Sequence, residues 1–382
     1  MRQLIKRNFF YLLSAGIGLS LLGYSNWKGL GLTFDSLVYL EGGQYILNHG
    51  TSGWFSQLVF QEKPPLFPLL IALFQKDLRL LNLFQFCMYL FVLNWAYHFT
   101  QYFLQKPFWQ YLCFFHLAIS TTFLQFHKFL FTEPLFIVLL YGYLWVSIHI
   151  LESPLQKRFP LYTYVLTGMI LGILLVSLRH IGILITLSSS LFLLWHQRKK
   201  PIVWWITGGY LFVPLLFFTT WQYLIWAIGL KANAAVFLQD LDIGFNLKVY
   251  SQAIYTWFLP TLPFDWLNYL GFILCFGIIC WTLRQVLASS GPSLYKKYFL
   301  FLFTCYFIPM SLKGDLLEPD GERYLGIFVL PFWLVFFSEV EKLSAKHKTW
   351  KWAGITLMLV WSIYPLARTL KNSMLWHDKI GW

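Results

Sequence analysis

Apolar runs close to the length of a membrane-spanning helix recur along the whole 382-residue chain, separated by short clusters of lysine and arginine. A helix needs about 20 apolar residues to cross the hydrocarbon core of a bilayer. Charged residues make up 12% of the chain, whereas a soluble domain contains about 25%. The pattern excludes a water-soluble domain and predicts an all-α polytopic membrane protein with about eleven spanning helices.

The net charge of +13 does not indicate nucleic acid as a partner. The cations lie in short loops between apolar runs, as the positive-inside rule predicts for cytoplasmic loops of a protein in contact with membrane lipids. Arg2, Lys6 and Arg7 place the N-terminus inside. The run that follows them, from Phe9 to Tyr24, lacks an A-x-A cleavage site and reads as a retained signal-anchor.

The alternation of apolar runs and charged loops predicts a single transmembrane domain over residues 1–382 with two long outer segments. The first segment, residues 27–79, contains an apolar piece too short to span, so we expect interfacial helices there. The second covers residues 229–263. The third spanning helix is predicted over Phe108 to Phe126, and the eleventh is predicted to end at Arg368.

This topology places thirteen of the sixteen acidic residues on the outer side, all except Glu152, Glu339 and Glu341. Acidic residues contribute little to membrane topology. Their uneven distribution is therefore a separate observation, and it suggests that the outer surface uses carboxylates.

Two elements of the first outer segment could carry chemistry. Asp35 opens a short amphipathic stretch that Gly50 closes, so Asp35 either caps a helix or acts as a general base at the membrane surface. Lys63 precedes Pro64 and Pro65, which fix the backbone near the headgroup layer. Lys63 either snorkels or binds a lipid phosphate.

At three further helix ends a charged residue has either a structural role or a role in chemistry. Glu133 precedes Pro134, and a carboxylate there either stabilises the helix N-terminus or takes part in chemistry. Arg179, with almost no loop around it, either snorkels or pairs with phosphate. Arg323 is placed like Arg179. Carboxylates and cations at one set of helix ends fit an anionic lipid headgroup and a proton-transfer acid.

Four short motifs make the chain resemble the GT-C class of glycosyltransferases, which use polyprenyl-phosphate-linked sugars. The likeness is to the protein O-mannosyltransferase and lipid A aminoarabinose transferase branch. The motifs are Asp35 with Tyr39 one turn later, Lys-Pro-Pro-Leu from Lys63 to Leu66, Glu133 within Thr132 to Phe136, and Arg323-Tyr324 before a late helix.

The resemblance implies an inverting transfer of a hexose or pentose from a polyprenyl-phosphate donor to a lipid, glycan or protein acceptor. Asp35 would be the general base, and Glu133 would orient the acceptor or bind a metal. The residues expected to hold the donor phosphate are Lys63, Arg179, Arg323 and Tyr324, and those expected to contact substrate are Tyr39, Lys128 and His180.

The first outer segment also bears on whether the protein uses a metal ion. The first outer segment has no Asp-x-Asp or Asp-Asp pair, unlike metal-using relatives, so no cofactor is assigned and a divalent metal ion at Asp35 and Glu133 stays open. We expect a bacterial inner membrane with the site facing the periplasm or exterior, with an ER lumen as the alternative.

A transporter or flippase of lipid-linked sugars is the rival function, although transporters place ionisable residues near the bilayer midplane.

Overall fold

The structure is a computed structural model that describes residues 2–50, 63–152, 158–197, 201–227, 242–260, 273, 277, 280, 282–284, 294–312, 320–346 and 348–379. The described residues form helices joined by turns, with one isolated backbone bridge. This confirms the all-α prediction. Of the predicted second outer segment, residues 229–241 and 261–263 lie outside the described residues.

The first half of the chain supplies nine helices in the described residues. They are α1 (Arg2–Ser25), α2 (Phe34–His49), α3 (Leu66–Leu73), α4 (Leu78–Phe103), α5 (Pro107–Ala118), α6 (Thr121–Lys128), α7 (Glu133–Glu152), α8 (Arg158–Leu178) and α9 (Gly182–Gln197).

The second half continues with longer and shorter helices in alternation. They are α10 (Pro201–Ala227), α11 (Ile243–Phe258), α12 (Leu294–Ser311), α13 (Asp320–Leu325), a 3-10 turn at Gly326–Phe328, α14 (Val329–Lys346), α15 (Lys348–Trp361) and α16 (Ile363–Lys379). Helix α11 lies inside the segment that the sequence predicted as an outer loop.

Four stretches within the described residues are long and apolar enough to cross a membrane. They are Leu78–Phe103, Glu133–Glu152, Leu161–Leu178 and Gly321–Ala345, and Gly182–His196 is a shorter apolar helix. Several large apolar side chains remain exposed on the protein surface, as expected where lipid rather than water is the neighbour. The chain is an integral membrane protein, and the total of eleven spans stays a prediction.

Residues 27–79, the predicted first outer segment, contain two short helices in their described part, α2 and α3, which pack against each other. A Cβ on Gly43 of α2 would lie 2.5 Å from Cγ2 of Ile71 on α3, so glycine permits this close approach. The capping interpretation of Asp35 is wrong. Thr33 is the N-cap of α2, and its side chain and that of Ser36 form a capping box. The predicted end at Gly50 is confirmed, with φ 62° and its N–H bonded to the Ile46 carbonyl.

The predicted third spanning helix is broken into α5 and α6. Hydropathy does not detect the break, because the residues on both sides of it are apolar. The chain turns at Ile119 and Ser120, where Ser120 takes an extended conformation. The Ile119 carbonyl accepts a hydrogen bond from Thr369 Oγ1 at 2.6 Å, so a partner from α16 satisfies a backbone group at the break.

The predicted end of the eleventh helix at Arg368 is also wrong. Helix α15 ends at Trp361, and after a one-residue break α16 runs through Arg368 to Lys379. Helix α16 packs along the C-terminal end of α1, where His377 stacks on Tyr24 with 4.3 Å between ring centroids. The C-terminal helix is therefore part of the packed structure.

The 3-10 turn between α13 and α14 depends on a glycine. A Cβ on Gly326 would lie 2.4 Å from both Phe126 Cζ and Thr122 Cγ2 of α6. Both neighbours are fully or almost fully buried, so they have little room to move.

We predict that Gly326→Ala lowers thermal stability, because overpacking a buried contact costs about 1–3 kcal/mol. The matched control is Gly16→Ala on α1, where a new Cβ would meet nothing within 4 Å. Thermal unfolding in detergent measures both variants. A Gly326→Ala midpoint equal to or above that of Gly16→Ala would contradict the role of this contact.

Candidate active site

The N-terminal ends of α2 and α7 lie side by side because the loops that precede them are hydrogen-bonded. Gly31 N–H donates to the Lys128 carbonyl at 2.8 Å, and Leu130 N–H donates to the Gly31 carbonyl at 3.0 Å. Ser36 Oγ also donates to the Leu130 carbonyl at 2.9 Å. These bonds bring the first turn of α2 next to the start of α7, almost a hundred residues later in the chain.

Five charged side chains from separate parts of the chain meet at this point and form one connected ion-pair network. Asp35 accepts from Lys63 Nζ at 2.9 Å and from an Arg323 terminal nitrogen at 2.7 Å. Glu133 pairs with the Nε of the same Arg323 and with Arg179, the latter at 2.5 Å. Arg323 thus bridges the two carboxylates.

The network has a closed side and an open side. The Glu133 side chain is 0% exposed, and that of Arg323 is 12% exposed. Asp35 and Lys63 are 21% and 24% exposed. Asp35 and Lys63 therefore form the more accessible side of the network.

Three cations and two carboxylates leave this network with a formal charge of +1, which favours an anionic ligand. Burial raises the pKa of Asp35, but the charges of Arg323 and Lys63 outweigh it and hold the pKa at about 2. Asp35 is therefore ionised throughout the physiological range.

The aromatic residues of the predicted motifs flank these cations. Tyr39 is buried, and Lys63 Nζ lies 5.8 Å from its ring centroid. The Arg179 guanidinium lies 5.7 Å from the ring of Tyr324. Both distances are within the range of cation–π attraction, so these two rings support the cations of the network.

Two predicted substrate contacts lie in other surroundings. Lys128 is fully buried, and its amine donates to the carbonyls of Ser25 at 2.9 Å and Gly29 at 2.8 Å. These bonds tie the end of α1 and the turn after it to the last residue of α6. Lys128 therefore has a structural role in this fold, and its contact with substrate stays a prediction. His180 lies in the turn between α8 and α9, with its ring edge-on to Phe218.

The sequence reasoning missed a second polar cluster, which holds the helix that carries Arg323. Glu322 accepts from Thr122 Oγ1 at 2.6 Å and pairs with Arg368 at 2.8 Å. Arg368 also donates to the Thr256 carbonyl at 2.9 Å. The guanidinium therefore links α16, α11 and α13. The signal that could have indicated it is a basic residue on an amphipathic C-terminal helix.

The described side chains do not fit a metal site. No group of three or more His, Cys, Asp and Glu side chains in the described residues could hold a metal ion. Asp35 and Glu133, the two residues expected to bind a metal if one were used, each pair with two cations. A metal ion would have to compete with these four contacts.

Comparison with solved structures identifies the fold. ArnT from Cupriavidus metallidurans, solved with bound undecaprenyl phosphate, matches with a TM-score of 0.61 at 12% identity over 87% of this chain and 60% of that one. The archaeal oligosaccharyltransferase AglB from Archaeoglobus fulgidus, solved with an inhibitory peptide and a dolichol-phosphate, matches with a TM-score of 0.61 at 11% identity over 99% of this chain and 56% of that one. The Archaeoglobus fulgidus oligosaccharyltransferase with zinc and sulfate gives 0.57 at 13% identity, over 97% and 53%.

Neither a protein-family model nor a curated protein sequence matches the chain. The chain spans 60% or less of the length of these solved structures. The structural match shows that the chain shares its fold with ArnT and AglB, which confirms the fold that the resemblance implied.

We predict that Arg368→Ala loosens α13 and the 3-10 turn, because Glu322 loses its ion-pair partner. Hydrogen–deuterium exchange of residues 320–328 should become about tenfold faster, the factor that corresponds to 1.4 kcal/mol of lost local stability. Lys371→Ala, an exposed cation three residues later on α16, is the control. Unchanged exchange of this segment in Arg368→Ala would show that the ion pair does not hold α13.

Proposed function

We propose that this protein is a membrane glycosyltransferase that moves a hexose or pentose from a polyprenyl-phosphate donor to an acceptor hydroxyl on the non-cytoplasmic side. The observation that carries the proposal is the network of Asp35, Glu133, Lys63, Arg179 and Arg323 at one set of helix ends. The GT-C fold supports it, since two solved proteins of similar fold hold undecaprenyl phosphate and dolichol-phosphate.

The donor phosphate is bound by the two cations that contact Asp35 in the structure. Lys63 and Arg323 supply charge-assisted hydrogen bonds to phosphate oxygens. As the bond between the anomeric carbon and the phosphate oxygen breaks, its electron pair stays on the phosphate. Fixed positive charge at that place stabilises the developing charge in the transition state.

Asp35 acts as the general base for the acceptor. It is the more exposed of the two carboxylates, so an acceptor hydroxyl can approach it. The hydroxyl oxygen forms its bond to the anomeric carbon while its proton passes to the Asp35 carboxylate. Attack on the face opposite the departing phosphate inverts the configuration at that carbon.

Glu133 has a positioning role in this mechanism. The sequence suggested that it orients the acceptor or binds a metal, but its side chain is fully buried between Arg179 and Arg323. A buried carboxylate between two guanidinium groups fixes their geometry and offsets part of their mutual repulsion. Arg179 therefore acts on the phosphate through the network.

The side of the membrane follows from the charge of the N-terminus. Arg2, Lys6 and Arg7 favour a cytoplasmic start, and α1 then crosses to the side where α2 begins. We propose a bacterial inner membrane with the site facing the periplasm or exterior. The acceptor class, whether lipid, glycan or protein, is set by parts of the protein beyond this network.

A transporter or flippase of lipid-linked sugars is the rival function. Transporters bind substrate near the bilayer midplane, between helices that alternate in access. The charged network described above lies at the ends of α2, α7, α8 and α13, which favours an enzyme. The two functions differ in whether covalent transfer depends on Asp35.

We predict that Asp35→Asn lowers sugar transfer by at least about 100-fold, the usual range for loss of a general base. The assay follows label leaving a panel of radiolabelled undecaprenyl-phosphate sugars in nanodiscs with the purified protein. Glu41→Gln, an exposed acid on the same helix, should retain activity. Full transfer by Asp35→Asn would refute the assignment of Asp35 as the base. If the wild type transferred no sugar but still moved the lipid-linked sugar across the bilayer, the result would favour the flippase.

Lys63→Ala should weaken binding of undecaprenyl phosphate by at least about tenfold, because one charge-assisted hydrogen bond contributes roughly 1.5–3 kcal/mol. Isothermal titration in nanodiscs measures the dissociation constant. Lys28→Ala, which removes an exposed lysine from the same outer segment, should leave it unchanged. Equal affinity in Lys63→Ala and Lys28→Ala would assign the phosphate to other cations.

A further inference from the structure

Both oxygens of the Asp35 carboxylate, the proposed general base, are paired with cations in the structure. Asp35 Oδ1 accepts from Lys63 at 2.9 Å, and Oδ2 accepts from Arg323 at 2.7 Å. A carboxylate removes a proton efficiently when an oxygen faces the hydroxyl. In this arrangement both oxygens face cations instead, and the pKa of about 2 that results makes the paired carboxylate a weak base.

The two cations that hold Asp35, Lys63 and Arg323, are also the two cations assigned to direct contact with the donor phosphate. Arg323 directs its Nε to the buried Glu133 and a terminal nitrogen to Asp35. Lys63 directs its amine to Asp35. A phosphate oxygen that takes hydrogen bonds from both cations therefore occupies the place that the Asp35 carboxylate fills in the structure.

Asp35 is the carboxylate of the network that can move away from its two cations. Glu133 is fully buried and paired with two arginines, so moving it would strand buried charges. Asp35 is 21% exposed, and the N-terminus of α2 is capped by Thr33 and Ser36 rather than by Asp35. Asp35 can therefore change its side-chain rotamer without uncapping the helix.

We propose that the Asp35 carboxylate is an internal placeholder for the donor phosphate: the phosphate displaces it from Lys63 and Arg323, and the displaced carboxylate then accepts the acceptor's proton. Donor binding thus precedes acceptor activation, because the same event fills the phosphate site and frees the base. This placeholder role rests on the proposed function, which supplies the phosphate ligand.

The placeholder role makes an unusual prediction about affinity. When the carboxylate is replaced by a neutral amide, the phosphate no longer competes with an internal anion for Lys63 and Arg323. Asp35→Asn should therefore bind undecaprenyl phosphate more tightly than the wild type, by about tenfold, even though it has lost transfer activity. If the carboxylate only assisted phosphate binding, Asp35→Asn would instead bind undecaprenyl phosphate more weakly than the wild type.

The experiment is isothermal titration of undecaprenyl phosphate into wild-type protein and Asp35→Asn in nanodiscs, without sugar or acceptor. Glu41→Gln makes the same charge change on the exposed face of α2 and should match the wild type. Undecaprenol, which lacks the phosphate, should bind all three proteins equally. Asp35→Ala repeats the test if the asparagine variant is not monodisperse.

The outcomes separate the two proposals. Tighter binding in Asp35→Asn alone supports the placeholder. Equal or weaker binding in Asp35→Asn and Asp35→Ala, with a wild type that binds, overturns the placeholder and leaves the proposed function standing. Equal tightening in Glu41→Gln overturns the placeholder in favour of a general charge effect. A wild type that does not bind undecaprenyl phosphate overturns both.

Discussion

The guanidinium of Arg323 holds two carboxylates that the chain order places far apart, one from α2 and one from α7. Burying a carboxylate is unfavourable unless it is paired and hydrogen-bonded, and Glu133 is fully buried. The starts of α2, α7 and α13 therefore have to meet around Arg323, and each is fixed by separate contacts. The loop bonds at Gly31 fix α2 against α7, and Glu322 fixes α13.

The membrane explains why the charges are gathered in this way. Ionisable residues at membrane depth are costly and are found with partners. In this protein the described carboxylates of the network lie at helix ends and each has two cationic partners, while one cation remains in excess. The internal pairing keeps the site stable in the absence of substrate, and the excess charge makes it attractive to an anion. These two properties suit the proposed site for a lipid phosphate.

The sequence predicted the members of this network better than their connections. Asp35, Lys63 and Arg323 could be identified because each lies at an apolar boundary within a short motif. The pairing of Glu322 with Arg368 joins residues 46 positions apart, and no local pattern encodes it. The breaks after α5 and α15 were missed because hydropathy does not respond to a turn between two apolar segments. The buried position of Lys128 could not be predicted, because a lysine in a short polar loop looks exposed in sequence, whereas the carbonyls that bind its amine come from a different part of the chain.

An experimental structure of the protein with bound undecaprenyl phosphate tests the central claim most directly. The account predicts phosphate oxygens within about 3 Å of Lys63 Nζ and the Arg323 guanidinium, the usual length of such charge-assisted bonds. It also predicts that the Asp35 carboxylate has left both cations and that Glu133 has kept its two arginines. A phosphate bound elsewhere, with Asp35 still paired to Lys63 and Arg323, would contradict it.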